Sequence, residues 1–400
     1  MKVTLIGVGG GLEDTLTAQA RAALTEADLV LGAPRLLEGL FPVEGQRRFP
    51  AIYSREILSI LQREKCQSPA VVYSGDPGFR SGAAGLIPLL EAEGMECRVL
   101  PGLSSVQLLS ARLGRPWQDW SLYTAHGADC DPVAAVMGGK PAFFLTGGDN
   151  TPAALCALLV ESGLGELEVT VGERLSYPDE AVRTMRAEEC AQQRFDPLSV
   201  LLVQPAPRPW EGPLKDGDFL RGEVPMTKEE VRAVILSKLA VRREDTVWDV
   251  GAGTGAVSVA LALSACRGKV YGVEYREEAW TLIEENRRRF GAWNLRLVRG
   301  RAPDALTALP TPNGVFIGGS EGELEGIIAA ALEKNPQVRL CLSAITLETL
   351  TAALKILETR GLRGEVVQIG VNRVVQKGGH SLLLAGNPVF LVTAQGEAAL

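Results

Sequence analysis

Two kinds of glycine-rich loop carry the residue types and spacings in this chain that are best suited to chemistry. In Trp248-Asp249-Val250-Gly251-Ala252-Gly253-Thr254-Gly255, three alternate glycines close a predicted strand and open a predicted helix. A backbone without Cβ atoms turns tightly and approaches a ligand closely. The following helix directs free N–H groups and a positive dipole end toward a carboxylate or phosphate. Gly251-x-Gly253-x-x-Ala256 also satisfies the dinucleotide fingerprint. Glu274 arrives at the end of the next predicted strand, where an acid accepts ribose hydroxyls. Spacing therefore points to an adenosine-bearing cofactor and leaves its class open. In the first half, Ile6-Gly7-Val8-Gly9-Gly10-Gly11, Ser74-Gly75-Asp76-Pro77-Gly78-Phe79 and Pro101-Gly102-Leu103-Ser104-Ser105 each follow a predicted strand. Asp-Pro-Gly makes a good turn by itself, but three such loops together form a constellation.

The elements that position these loops alternate along the chain, short β-branched runs with helix-period stretches, which predicts an α/β fold with mainly parallel sheet. In the first half, strands are expected at 3–6, 70–74, 98–100, 121–124, 142–146, 168–171 and 199–203, with helices at 55–65 and 151–161. Gly114-Arg-Pro-Trp-Gln-Asp-Trp120 breaks the periodicity and is expected to hinge two lobes. Four prolines within 204–213 cannot sustain a helix or central strand. They predict a linker over 205–222 between domains spanning 1–204 and 223–400. The alternation then restarts, with strands at 246–250, 269–274, 295–298, 314–317, 339–343, 365–369 and 389–393. The intervening helices fall at 227–239, 256–265, 277–290, 323–332 and 347–360. Thr227-Lys-Glu-Glu230 has the pattern of a capping box.

Composition narrows the chemistry. The 400 residues carry 41 Lys and Arg against 48 Asp and Glu, a net charge of −7, which disfavours nucleic acid and anionic membrane as partners. Seven cysteines lie scattered without a C-x-x-C pair, so reduced thiols in a cytoplasmic protein are expected. Only His126 and His380 are present, and no metal site is expected. The longest apolar stretches fall short of the ~20 residues that a membrane helix needs. A strand beginning at Val3 leaves no room for a signal peptide.

The order of loops in the second half resembles the class I S-adenosylmethionine-dependent methyltransferases. There the glycine loop and acidic ribose binder are followed by Gly300-Arg-Ala302-Pro303 and by Phe316-Ile-Gly318-Gly319-Ser320. The first-half loops, with Leu145-Thr146-Gly147-Gly148-Asp149-Asn150 and Glu173-Arg174-Leu175-Ser176-Tyr177-Pro178, resemble the tetrapyrrole (corrin/porphyrin) methylases, with Gly10 standing where that family has proline. The two in tandem resemble the fused, decarboxylating C5,15-methyltransferases of cobalamin biosynthesis, across essentially the whole chain. This resemblance implies a two-lobed tetrapyrrole methylase fold followed by a Rossmann-like class I domain. It also implies one S-adenosylmethionine per domain, a precorrin substrate, methylation at C-5 and C-15 with loss of the ring-C acetate carboxyl, and a homo-oligomer, dimer or tetramer.

Carried over residue by residue, the resemblance places Gly251, Ala252, Gly253, Thr254 and Gly255 on the methionine side of the second cofactor, Glu274 on its ribose, Ala302 at its adenine and Thr227 nearby. Gly10, Ser74, Gly75, Asp76, Phe79, Ser104, Ser105 and Thr146 are expected to line the first. Asp76 acts electrostatically near the sulfonium or stabilises its own turn, and His126 is the candidate proton carrier. Arg174, Arg301 and Arg373 are candidates for the substrate's carboxylates, while Arg287-Arg-Arg289 is expected to be a solvated helix face. A nicotinamide-dependent oxidoreductase in the second half and a non-catalytic binding module in one half remain the alternatives.

Overall fold

A computed structural model describes residues 1–127 and 130–396, so positions 397–400 of the second sequence-defined domain lie outside the described residues. The chain forms two compact units, residues 1–160 with 165–205 and residues 161–164 with 206–400.

The first unit contains two sheets. Strands β1 (Lys2–Gly7), β2 (Leu29–Gly32), β3 (Arg47–Pro50), β4 (Pro69–Tyr73) and β5 (Glu96–Leu100) pair in the order β3-β2-β4-β1-β5, all parallel. Buried Val3, Leu5, Leu29, Leu31 and Val71 pack against helices on one face of it, and Ile6, Val30, Ala70 and Val72 on the other. Strands β6 (Ser121–Thr124), β7 (Ala142–Leu145), β8 (Glu168–Glu173), β9 (Ala181–Arg186) and β10 (Ser199–Val203) form the second sheet, in the order β6-β7-β10-β8-β9. Only its β6–β7 pair is parallel.

Three strands here escape the periodicity. Leu29-Val-Leu-Gly32 is fully buried and only four residues long, too short to show alternation. Arg47-Arg-Phe-Pro50 is a polar edge strand, and the 181–186 run, none of it buried, pairs at the edge of the second sheet. The expected hinge at Gly114–Trp120 also moves. Val106 and Leu109 of the Ser105–Leu113 helix pack with Trp120, Phe143 and Val200 of the second lobe. The chain therefore changes lobe at 101–104, and Gly114 (φ +61°) is the left-handed cap of that helix.

The second unit is three-layered. Strands β11 (Thr246–Val250), β12 (Lys269–Glu274), β13 (Leu295–Arg299), β14 (Gly314–Ile317), β15 (Arg339–Ala344) and β16 (Gly364–Ile369) are followed by a separate hairpin, β17 (Arg373–Lys377) and β18 (His380–Leu384), and by β19 (Val389–Gln395). The main sheet runs β13-β12-β11-β14-β15-β19-β16, parallel except for β19. Helices Glu229–Leu239, Ala256–Ser264 and Glu277–Phe290 bury their apolar stripes on one face, and helices Leu324–Lys334 and Leu347–Thr359 on the other. No helix among the described residues is long and apolar enough to cross a membrane.

Three local expectations are corrected. The residues read as linker pack onto the second unit: Trp210 meets Phe290 edge-on, and Phe219 is buried and stacks on the same ring. Proline excludes regular structure but not packing. Thr227 does not cap its helix, which starts at Glu229 with Lys228 at the cap position and no side-chain cap bond. Glu230 pairs instead with Arg373 at 2.8 Å, because a full cation is a stronger partner than a backbone N–H. Arg287 is buried, its guanidinium 2.5 Å from Glu284 and donating to the Leu295 carbonyl, whereas Arg288 and Arg289 are exposed.

Candidate active sites

In the first unit, the sheet order places β4, β1 and β5 side by side, so the loops that leave their C-terminal ends converge. A Cβ on Gly7 would lie 2.6 Å from the Gly102 nitrogen and 2.7 Å from the Gly75 oxygen, so this crossing requires glycine. Gly9 and Gly75 exchange backbone hydrogen bonds, and Asp76 joins the remaining loops by accepting from Gly78 N at 2.8 Å and Gly102 N at 3.1 Å. The carboxylate holds its own turn, the structural alternative, and it also lines the cleft.

That cleft, a cavity of about 580 Å³, lies within the ~300–1,000 Å³ range of small-molecule sites. The structure brings all eight expected cofactor residues to its wall, together with His126. The Ser104 N–H donates to Gln107 Oε1 at 2.8 Å, which fixes the start of its helix. Buried Thr146 donates to the Ser199 carbonyl at 2.6 Å, tying β7's exit loop to β10. The exposed His126 ring lies over Gly147, where a Cβ would come within 1.9 Å of Nδ1. Gly10 is held from the opposite lobe, its carbonyl accepting the Tyr177 hydroxyl at 2.5 Å. Arg174 lines the cleft in a left-handed conformation (φ +48°), paired with Asp179 at 2.6 Å and stacked over Tyr177.

In the second unit, strand order reverses between β11 and β14, and ligands of open α/β sheets bind at such a switch point beyond the strands' carboxyl ends. A cavity of about 480 Å³ opens there. Thr227, Gly251, Ala252, Gly253, Thr254, Glu274 and Ala302 line it, as does Arg301. Gly251 has φ +77°, and a Cβ would meet the Gly319 nitrogen at 2.7 Å. Glu274 is buried to 2% exposure; Oε2 accepts from Gly253 N at 2.8 Å, and Oε1 from Tyr275 N at 3.0 Å and Arg276 N at 2.9 Å. Gly255 does not reach the cavity. It opens the helix at φ +78° and faces Ile283, so close helix packing is its role. Arg373 is also outside the cavity wall, its charge held between Asp216 (3.0 Å) and Glu230 (2.8 Å).

Asp249 lines the same cavity and was not assigned from sequence, although it directly precedes the glycine loop. Its Oδ2 accepts the Ser258 hydroxyl at 2.5 Å, while Oδ1 is buried without a partner. Complete burial raises its pKa to about 7; the Ser258 hydrogen bond opposes this and the nearby Glu274 charge adds to it. At the mouth, the Tyr275 hydroxyl bonds Glu321 at 2.5 Å, which raises its pKa, and Arg301 donates to the Glu321 carbonyl.

Comparison with known proteins adds the chemistry. Residues 2–191 match the tetrapyrrole (corrin/porphyrin) methylases, and residues 218–395 match a precorrin methyltransferase domain. Over 390 residues the chain is 33% identical to the precorrin-6Y C(5,15)-methyltransferase (decarboxylating) of a Sinorhizobium species, covering 94% of this chain and 92% of the relative. Over 184 residues it is 46% identical to the probable cobalt-precorrin-6B C(15)-methyltransferase (decarboxylating) of Pyrobaculum calidifontis, covering 45% of this chain and 94% of that one. Among solved structures, a precorrin-6Y C5,15-methyltransferase from Geobacter metallireducens is 36% identical, covering 45% of this chain and 96% of the other, with a TM-score of 0.44.

Proposed function

Because the chain belongs to the precorrin-6Y C(5,15)-methyltransferase (decarboxylating) family, we propose that it methylates a precorrin at C-5 in the N-terminal cleft and at C-15 in the C-terminal one. The second unit also removes the ring-C acetate carboxyl. One observation carries this reading: a single chain builds two separate glycine-walled clefts, each at the C-terminal edge of a parallel sheet.

The residues present fit one S-adenosylmethionine per cleft. In the second, Gly251 leaves a cradle that a Cβ would fill, and the buried Glu274 carboxylate, already aligned by three N–H groups, would accept the ribose hydroxyls. In the first, Gly10 and Gly75 keep the wall bare beside Asp76 and Ser104. When bound, the cofactor supplies an electrophilic methyl on a sulfonium leaving group. The chain's own task is to hold an electron-rich meso carbon in line with that methyl and to keep water out. For decarboxylation, the C–C bond to the acetate carboxyl breaks and its electron pair passes into the conjugated macrocycle as carbon dioxide leaves. The second site must therefore position that arm near Arg301 at the cavity wall.

Scattered, unpaired cysteines suit a cytoplasmic enzyme, and we place it there as a homo-oligomer. Mass spectrometry of the tetrapyrrole after incubation with S-adenosylmethionine tests the whole reading. Gain of two methyl groups with loss of one carbon dioxide is expected. A single methyl gained, with no carbon dioxide lost, would contradict it.

A further inference from the structure

An acidic chain that handles a polycarboxylate substrate must supply cations locally, and several of its arginines are already neutralised within the fold. Buried Arg232 pairs with Asp216 and buried Arg287 with Glu284, half-buried Arg339 with Asp245, and exposed Arg183 with Glu173. In the N-terminal cleft, Arg174 pairs with Asp179 and lies 3.7 Å from Asp196. Two further arginines line the same cleft, Arg35 and Arg80, and neither has a carboxylate partner among the described residues. Asp76, the acid on that wall, spends its two oxygens on Gly78 and Gly102.

Arg35 is half-buried, and neutral acceptors hold its fork in place. Nη1 donates to the Tyr177 hydroxyl oxygen at 2.5 Å and to the Gly10 carbonyl at 3.4 Å, and Nη2 donates to Ser74 Oγ at 3.4 Å. Tyr177 comes from the opposite lobe and donates its own hydroxyl hydrogen bond to the Gly10 carbonyl. This arrangement orients a guanidinium without cancelling its charge, and a half-buried uncancelled cation gains most from a bidentate anion. Arg80 lies just beyond the loop after β4, which neighbours β2, the strand that leads to Arg35. Its backbone is held at φ +51°, left-handed for a residue with a Cβ.

We propose that Arg35 and Arg80 are the carboxylate-recognition pair of the N-terminal cleft, gripping acetate or propionate arms of the tetrapyrrole, and that Tyr177 is the positioning residue for Arg35. The assignment rests on the reading of this cleft as a C-5 methylation site. It displaces Arg174, whose charge is already matched within the fold.

The test is steady-state C-5 methyl transfer by the full-length chain and its R35Q, R80Q, R35K and Y177F variants, with S-adenosylhomocysteine titration alongside. R35Q and R80Q are expected to raise the tetrapyrrole KM about 10- to 100-fold, the loss of a charge-assisted pair, with kcat within about threefold. Two molecules of S-adenosylhomocysteine should still bind with unchanged affinity. R35K should recover part of the loss, and Y177F should raise the tetrapyrrole KM less than R35Q does. The salt dependence of kcat/KM should flatten in both glutamine variants. An unchanged tetrapyrrole KM in R35Q and R80Q, or an equal loss of S-adenosylhomocysteine affinity, would overturn the assignment while leaving C-5 methylation intact. Absence of C-5 transfer by the unaltered chain would instead overturn the reading beneath it, and the pair with it.

Discussion

Glu274 Oε2 accepts the N–H of Gly253 at 2.8 Å, so the acid at the end of β12 and the glycine loop after β11 are one rigid unit. E274Q places an amide NH₂ among three backbone donors that need acceptors. Affinity for S-adenosylhomocysteine at the C-terminal site is expected to fall about 10- to 100-fold, through a misaligned loop and a lost ribose acceptor. Calorimetric titration reads this as a stoichiometry dropping from two toward one at micromolar ligand.

Gly251 tolerates no side chain. At φ +77°, alanine is strained by about 1–3 kcal/mol, and its Cβ would stand 2.7 Å from the Gly319 backbone nitrogen. G251A is expected to abolish C-15 methylation and decarboxylation while leaving C-5 methylation near the unaltered rate. Product masses distinguish this from general unfolding, which would remove both.

Asp249 gives the second unit a pH signature. Its folded pKa is about 7, raised by burial, whereas an unfolded aspartate titrates near ~3.9. Between these values the folded chain holds a proton that the unfolded chain has released. Its contribution to stability is thus fully present below about pH 4 and is lost as pH rises through about 7. D249N lacks this titration, so its Tm relative to the unaltered protein should climb between about pH 4 and 7 and level off above that. Parallel Tm-against-pH curves for the two proteins would refute the burial argument.

Asp76 is the corresponding tie in the first unit, spanning Gly78 and Gly102. D76A leaves two backbone donors unmatched at the cleft wall, and N-terminal cofactor affinity should drop about tenfold. C-15 methylation by the same variant should be unaffected, a comparison made within one reaction by product mass.

Arg373 was a candidate for binding substrate, and the structure engages it with Asp216 and Glu230 outside the cavity wall. R373A is expected to leave the tetrapyrrole KM of both methylations unchanged. A tenfold rise in either would return it to the site.

Much of this protein could be read from the order of its residues. Loops that follow buried strands announce themselves by glycine spacing, and parallel α/β sheets place all such loops at one edge. That is why Gly10, Ser74, Asp76 and Ser104 were legible as one cleft and Gly251, Glu274 and Ala302 as another. Sequence order does not determine which charges neutralise each other. Arg174 and Arg373 read as candidates for the substrate's carboxylates and Arg287 as part of a solvated helix face, yet the fold pairs them with Asp179, Glu230 and Glu284, respectively. Arg35 acquires its place only because Tyr177, 142 positions away, folds back over Gly10. Asp249 acquires its raised pKa only because tertiary packing buries it completely. Local spacing specifies where the backbone bends toward a ligand; burial, and distant counter-charges such as Glu230 for Arg373, depend on long-range contacts that exist only once the sheets have formed.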